Sequence, residues 1–287
     1  MKQYTLNNGS SIPSLGLGMW QLEGQAACAA AITAAVSCGC RLIDTAAAYL
    51  NERAVGAGVR ACGLPREALF LTSKVWVQDA GYEQTKGAIG RTLDRLNMDY
   101  LDLYLIHWPY GDYLGSWRAM EEYHAQGVLK NLGVCNCSVE KLETLMAAAA
   151  VMPVVNQVEC HPLLQQRALH RFMRRHGILL EAWSPLAHAH PALFQSPRIK
   201  TLAGHYGKTV AQIVLRWHIQ EGHIAIPTSH RPARIRSNFD IWDFTLSEAD
   251  MDVMRTLECG KRVSGESPED PRTEAAITSC RFEDESE

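Results

Sequence analysis

Residues 69–107 read LFLTSKVWVQDAGYEQTKGAIGRTLDRLNMDYLDLYLIH. Two apolar runs, Leu69-Phe70-Leu71 and Leu101 to Ile106, bracket a segment with helical periodicity over residues 83–97. Short apolar runs of this kind suit strands buried on both faces, and the separation suits one helical crossover. Each run also ends on a polar residue, Lys74 after the first and His107 after the second. The stretch therefore reads as strand, helix, strand, with a titratable side chain at each strand's carboxyl end.

The same arrangement recurs along the chain. Upstream, Arg41-Leu42-Ile43 leads into Asp44. Downstream, Leu132-Gly133-Val134, Val154-Val155, Ile178-Leu179-Leu180 and Ile224-Ala225-Ile226 are further strand-like runs, and Asn136, Gln157 and Trp183 stand at the ends of three of them. Leu15-Gly16-Leu17-Gly18 is a weaker member, since glycine disfavours strands. Helical patterns lie near 25–38, 50–61, 115–126, 139–149, 165–175 and 209–221. Thr209 and Gln212 form a capping box for the last, and Gly222 stops it. About eight strands alternating with helices predict a (β/α)8, or TIM, barrel. No compositional linker divides the chain, so residues 1–287 read as one barrel domain. Residues 1–14 suggest an N-terminal β-hairpin around Asn7-Asn8-Gly9. Residues 187–205 read as a long connection rich in proline and histidine. The C-terminal tail after Gly260 is polar, acidic and expected to be mobile toward its end.

Composition excludes several function classes. With 21% charged residues, 47% hydrophobic residues and a net charge of -3, the chain has no basic excess that would mark a nucleic-acid binder. No apolar stretch is long enough to span a bilayer, and MKQYTLNNGSSIP lacks the apolar core of a secretory signal. Nine irregularly spaced cysteines favour free thiols in a reducing, cytoplasmic setting. Cys38-Gly39-Cys40 and Cys135-Asn136-Cys137 are too close for zinc-ligand pairs, so no metal is expected and the cysteines read as small buried hydrophobes.

Position is more informative than composition. Asp44 to Lys74 spans 30 residues and Lys74 to His107 spans 33, each about one βα unit. Asp44, Lys74 and His107 then project from three successive strand ends, on the face where barrel enzymes place their active sites. Taken singly, each has a plainer reading: a turn or cap for the aspartate, a solvated rim residue for the lysine, a structural role for the histidine. Their joint placement favours a site. Tyr49, five residues after Asp44, falls on the same face. A lysine cation nearby favours the phenolate and is expected to lower the tyrosine's pKa, while Asp44 keeps Lys74 charged and oriented. His107 can hold a carbonyl oxygen or share the proton. The four together suit protonation of an oxyanion as it forms.

These residues carry a resemblance. Asp44-Thr45-Ala46-Ala47-Ala48-Tyr49 followed by Asn51-Glu52, Thr72-Ser73-Lys74, and Ile106-His107-Trp108-Pro109 resemble the motifs of the aldo-keto reductases, in order and over nearly the whole chain, and specifically the microbial branch acting on small carbonyls and diketo acids. The resemblance makes Asp44, Tyr49, Lys74 and His107 a catalytic tetrad. Gly133-Val134-Cys135-Asn136 resembles the family's G-V-S-N segment, which holds the nicotinamide carboxamide, with Cys135 replacing the serine. Asn156-Gln157-Val158-Glu159 resembles the segment whose glutamine also contacts the carboxamide. Trp183-Ser184-Pro185-Leu186 resembles the one whose aromatic residue stacks on the nicotinamide, and implies cofactor roles for Trp183, Ser184 and Leu186. Gly18, Met19 and Asp44 join the implied cofactor set. Ile226-Pro227-Thr228-Ser229, with Arg234 and Asn238, resembles the segment around the adenosine phosphate. Thr228 stands where a lysine is usual. Arg234 remains, and a guanidinium grips phosphate with two hydrogen bonds, so NADPH (NADP+) is the expected cofactor, in preference to NADH.

The expected activity is NADPH-dependent reduction of an aldehyde or ketone to an alcohol, with Tyr49 as proton donor and a small-molecule carbonyl as partner. The protein is expected to act as a monomer. Trp20, Tyr49, Trp76, His107 and Trp108, with Tyr110, would line the substrate pocket, although packing alone is a sufficient role for Trp108. A short segment 110–116 suggests an open, promiscuous pocket. Two other classes fit parts of the pattern. A barrel lysine can form a Schiff base, but this leaves Tyr49, Asn136, Gln157 and Arg234 without a role. A nucleotide-sensing accessory subunit would not need a complete tetrad. Gly16-Leu17-Gly18 lacks the third glycine of a dinucleotide fingerprint, since Gln21 stands there, and Gly207-Lys208-Thr209 lacks the first glycine of a P-loop, since Leu202 stands there.

Overall fold

The structure is a computed structural model and describes residues 2–283 and 285. It begins with a hairpin of β1 (Gln3–Thr5) and β2 (Ser11–Pro13), paired antiparallel. The repeating units are β3 (Leu17–Gly18), α1 (Gln25–Ser37), β4 (Leu42–Asp44), α2 (Glu52–Ala61), β5 (Phe70–Val75), α3 (Tyr82–Leu96), β6 (Leu103–Ile106), α4 (Tyr113–Ala125), β7 (Leu132–Cys135), α5 (Val139–Ala148), β8 (Val155–Glu159), α6 (Arg167–Arg175) and β9 (Leu179–Trp183). After β9 come α7 (Pro191–Phe194), α8 (Pro197–Tyr206), α9 (Val210–Glu221), β10 (Ile224–Ala225), α10 (Pro232–Phe239), α11 (Glu248–Arg255) and α12 (Pro271–Ser279).

Strands β3 to β10 are parallel neighbours in chain order. A parallel bridge from Leu15 to Ala225 joins the first to the last, with Gly16 N–H donating to Ala225 O at 2.9 Å. The sheet is thereby closed into the expected barrel. Side chains alternate along each strand. Ile43, Leu71, Tyr104, Val134 and Leu180 pack outward against the helices. Leu42, Leu103, Leu105 and Val155 point inward, where Leu6 and Ile12 of the hairpin region cover the strand starts. Further along their strands, Asp44, Lys74, Gln157 and Glu181 share this inward-facing set. The interior is too full for a Cβ at Gly133, which would sit 2.6 Å from Leu105 Cδ2 and 2.8 Å from the Val155 carbonyl oxygen.

One expectation about the outer segments changes. The connection over 187–205 contains α7 and most of α8. Pro191 and Pro197 each stand in the first turn of a helix, where a missing N–H costs nothing. Within the tail, Asp270 caps α12, and Ile277, Cys280 and Phe282 pack against the aromatic cluster of Trp76, Trp108 and Tyr110. The final residues, to which the expected mobility most applies, lie largely outside the described residues.

Candidate active site

At the carboxyl ends of β4 and β5 the tetrad is assembled. Lys74 Nζ is fully buried and donates to Asp44 Oδ1 at 2.6 Å, to the Thr45 carbonyl at 2.8 Å and to Tyr49 Oη at 3.3 Å. Three acceptors saturate an ammonium, so its geometry is fixed. Tyr49 ends a single 3-10 turn, Ala47–Tyr49, which lifts the phenol back over the barrel mouth. The His107 ring meets Tyr49 edge-on at 5.6 Å and Trp76 edge-on at 5.1 Å. His107 Nδ1 is buried without a hydrogen-bond partner among the described residues.

A second layer holds these groups in place. Asn51 donates to the carbonyls of Met19 and Leu22 at 2.8 and 2.9 Å and accepts from Thr45 Oγ1 at 2.6 Å, pinning the turn that carries Tyr49. Glu52, fully buried, accepts from Arg95 at 2.7 Å and from the Ser73 hydroxyl, beside Lys74. Gln157 Nε2 lies 2.9 Å from both Asp44 Oδ2 and Glu181 Oε2. Sequence reasoning passes over Glu181. Its signal is an acidic residue two positions before Trp183, on the inward row of a strand.

Burial dominates the electrostatics. It pushes the Tyr49 phenol up to about 12, and the Lys74 ammonium pulls back only part of that. The expected net lowering is therefore corrected in sign. Tyr49 is a neutral donor at physiological pH, and Lys74 moderates the penalty of burying it. Burial alone would discharge Lys74, but Asp44 and Tyr49 reverse this and raise its pKa. Burial also raises the Asp44 carboxyl, against which Lys74 and Gln157 hold the charged form. His107 is pushed well below its ordinary value by burial and then by Lys74, so the imidazole is neutral.

Glu181 is pushed up to about 8 by burial, with the Asp44 charge adding to it. An acid whose folded pKa is raised binds more protons folded than unfolded, so folding stability falls as pH climbs from about 4.3 toward 8. Glu181→Gln should remove this slope and be the more stable protein at pH 9. Unfolding free energies at pH 5, 7 and 9 check it, and equal slopes for the two proteins would contradict it.

The residues implied for the cofactor surround the mouth. Asn136, at φ 56°, donates to the His107 carbonyl at 3.1 Å and accepts from Trp183 Nε1 at 3.0 Å, which fixes the half-buried indole. Ser184, in the left-handed region at φ 48°, pairs with His188 at 2.8 Å, and Leu186 is half-buried nearby. The Gly18 backbone approaches Thr228 and Ile226 so closely that a Cβ there would lie 2.7 Å from Thr228 Oγ1. Met19 and Cys135 are enclosed, with 0% and 1% of their surfaces exposed, and offer mainly backbone to any ligand. Thr228 and Ser229 lead to α10, whose N-terminus has no side-chain cap. Arg234 in its first turn is exposed, without a side-chain partner among the described residues, and Asn238 is buried behind it. An uncapped helix start, two hydroxyls and a free guanidinium make a fitting cradle for a phosphate.

The aromatic residues divide. Trp76 donates to the Cys280 carbonyl at 3.0 Å and meets Phe282 edge-on at 5.3 Å, so the tail builds one wall beside His107. Trp20 is exposed and lies edge-on to His188 at 5.4 Å on the opposite side. Trp108 is buried and stacked on Tyr110 at 5.6 Å, in keeping with the packing role.

A closed parallel barrel with a buried Asp–Lys pair, a neutral phenol and a neutral imidazole at its mouth defines a barrel enzyme built for acid-assisted carbonyl chemistry. The aldo/keto reductase family model matches residues 14–258, and the chain belongs to that family. It is 43% identical to the methylglyoxal reductase DkgA of Escherichia coli over 261 residues, covering 90% of this chain and 94% of that one. It is 45% identical to a glyoxal reductase of Bacillus subtilis over 266 residues, covering 92% and 95%. Among solved structures, a Bombyx mori aldo-keto reductase in complex with NADP aligns with a TM-score of 0.86 at 32% identity, covering 91% of this chain and 94% of that one. Among the described residues no helix is long and apolar enough to cross a membrane.

Proposed function

We propose that the protein reduces small aldehydes and ketones, α-dicarbonyls foremost, to alcohols with NADPH. The observation that carries this reading is the Tyr49 hydroxyl, 3.3 Å from the Lys74 ammonium and beside the neutral His107, whose Nδ1 has no hydrogen-bond partner among the described residues. NADPH, when bound, would supply the hydride, and Asn136, Gln157 and Trp183 would hold its nicotinamide beside the tetrad. His107 receives and orients the carbonyl oxygen. Tyr49 gives its proton to that oxygen as negative charge gathers there. Lys74 stabilises the phenolate left behind, and Asp44 keeps Lys74 charged. Trp76 and Phe282 suit small substrates, in line with relatives named for methylglyoxal and glyoxal. Oxidation of NADPH with methylglyoxal, glyoxal and a panel of larger ketones tests the proposal. No turnover with any carbonyl would refute it.

Thr228 and Arg234 bear on cofactor choice. A hydrogen bond to a charged group contributes roughly 1.5–3 kcal/mol, and Arg234 can make two to a 2'-phosphate. Arg234→Ala should weaken NADPH by about 10-fold or more, and NADH far less. Thr228→Lys should widen the preference for NADPH. Dissociation constants for both cofactors decide this: equal weakening by Arg234→Ala would mean that Arg234 does not read the phosphate.

A further inference from the structure

Away from the tetrad, three buried side chains converge beside the end of β9. Cys160 directly follows β8, His218 lies in the last turn of α9, and His223 follows the Gly222 cap of that helix. All three are at most 1% exposed. His218 Nδ1 and His223 Nδ1 are 3.2 Å apart, Cys160 Sγ is 3.9 Å from His223 Nδ1, and the three atoms lie within 4.8 Å of one another. An ion bound at about 2.0–2.3 Å by nitrogen and sulfur sets its ligands roughly 3.3–3.8 Å apart, so the side chains need little movement to share one.

Their surroundings orient the donors. His218 Nε2 lies 3.2 Å from the Pro185 carbonyl, which can only accept, so Nε2 carries the proton. Burial keeps this imidazole neutral. His218 Nδ1 is then a bare lone pair aimed at His223. On the far side, His223 Nε2 lies 3.2 Å from His170 Nδ1. Two proton arrangements satisfy this chain. In one, His170 donates to His223 and His223 Nδ1–H donates to His218. In the other, His223 donates from Nε2 to His170, and both Nδ1 lone pairs face one point beside the thiol, which requires a cation there. A histidine ligand whose other nitrogen donates to a protein acceptor is the usual outer-shell arrangement of metal sites.

We propose that Cys160, His218 and His223 bind one thiophilic d10 ion, Zn2+ or Cu+, as a clamp joining β8, α9 and the segment after β9. On binding, a metal–sulfur bond replaces the Cys160 S–H bond and that proton leaves to solvent. His223 and His170 each shift one proton from Nδ1 to Nε2, and no electron is transferred. One thiolate and two imidazoles with no carboxylate favour these ions over Mg2+ or Ca2+. Burial makes the free Cys160 thiol hard to ionise, but a coordinating cation deprotonates it outright. A crevice of about 550 Å³, with His170, Arg171, Arg174, Trp217, Glu221 and His223 in its lining, reaches the His223 side of the site. Cys160 N–H donates to the Trp183 carbonyl at 3.3 Å and His218 holds Pro185, so the clamp fastens the very segment that carries the indole at the barrel mouth. The sequence shows only part of this site: His218 and His223 have the spacing of a histidine ligand pair, but Cys160 stands 58 positions before His218.

The test uses the full chain, reduced and stripped with a chelator, then titrated without oxygen with Zn2+ or, separately, Cu+. After desalting, elemental analysis should find one retained equivalent of at least one ion, and thermal melts should shift upward by about 5 °C. The ion retained identifies the preference. Cys160→Ala and His223→Val should each lose the equivalent and the shift, whereas Cys259→Ser, which removes an exposed thiol, should keep both. No retention and no shift in the folded wild type would overturn the proposal. So would binding lost in Cys259→Ser but kept in Cys160→Ala and His223→Val.

Discussion

Tyr49→Phe is expected to lower carbonyl reduction by about 10²–10⁴-fold, the contribution of a positioned general acid, with cofactor affinity near wild type. The substitution keeps the ring that meets His107 at 5.6 Å and removes only the hydroxyl 3.3 Å from Lys74 Nζ. A phenol at about 12 is a weak acid, yet the oxygen it serves becomes an alkoxide, whose conjugate acid is weaker still, comparable to water. The proton therefore moves downhill only once hydride has reached the carbon. Because Tyr49 stays protonated and His107 stays neutral, neither contributes a limb to the pH profile of reduction between about 7 and 9. Single-turnover reduction of methylglyoxal, with NADPH binding followed by its fluorescence, measures both quantities. If Tyr49→Phe keeps most of its activity, the proton comes from another group and the reading of the site fails.

The order of strands and the face of the barrel that carries the site were legible because each strand is a short apolar run closed by a polar residue. Period-two alternation then decides which side chains enter the barrel: Asp44, Lys74 and Gln157 share the inward row with Leu42, Leu105 and Val155. Proline misled the reading of 187–205, since loop and first-turn positions look alike until the backbone is seen. The sign of the Tyr49 shift was out of reach for a different reason. A sequence shows that a lysine is near, but not that the phenol is desolvated, and desolvation is the larger effect. Glu181 and the Cys160, His218 and His223 cluster escaped because their meaning depends on contacts between distant strands and helices. Arg234 and Thr228 were found by resemblance alone, and the exposed guanidinium and half-buried hydroxyl beside the start of α10 give that resemblance a physical basis.

Lys74→Met should depress reduction at neutral pH by about 10²–10³-fold, the scale of removing one preorganised charge from a transition state. Stability should fall as well. Lys74 and Asp44 are a buried pair at 2.6 Å, and breaking such a pair costs about 3–5 kcal/mol because one charge is left uncompensated. A low rate in Lys74→Met alone could therefore reflect damage to the fold. Lys74→Met combined with Asp44→Asn separates the two effects. It leaves no buried charge at this pair, and Gln157 can still hydrogen-bond the side chain at position 44. The double variant should regain most of the lost stability in thermal melts and remain as inactive as Lys74→Met. Recovery of activity along with stability would show that Lys74 serves only to neutralise Asp44. The same proteins also discriminate against Schiff-base chemistry. An ammonium donating to Asp44, Thr45 and Tyr49 has no free electron pair with which to attack a carbonyl. Wild type treated with methylglyoxal and borohydride should accordingly form no adduct at Lys74, and such an adduct would show that the lysine, not the tyrosine, begins the chemistry.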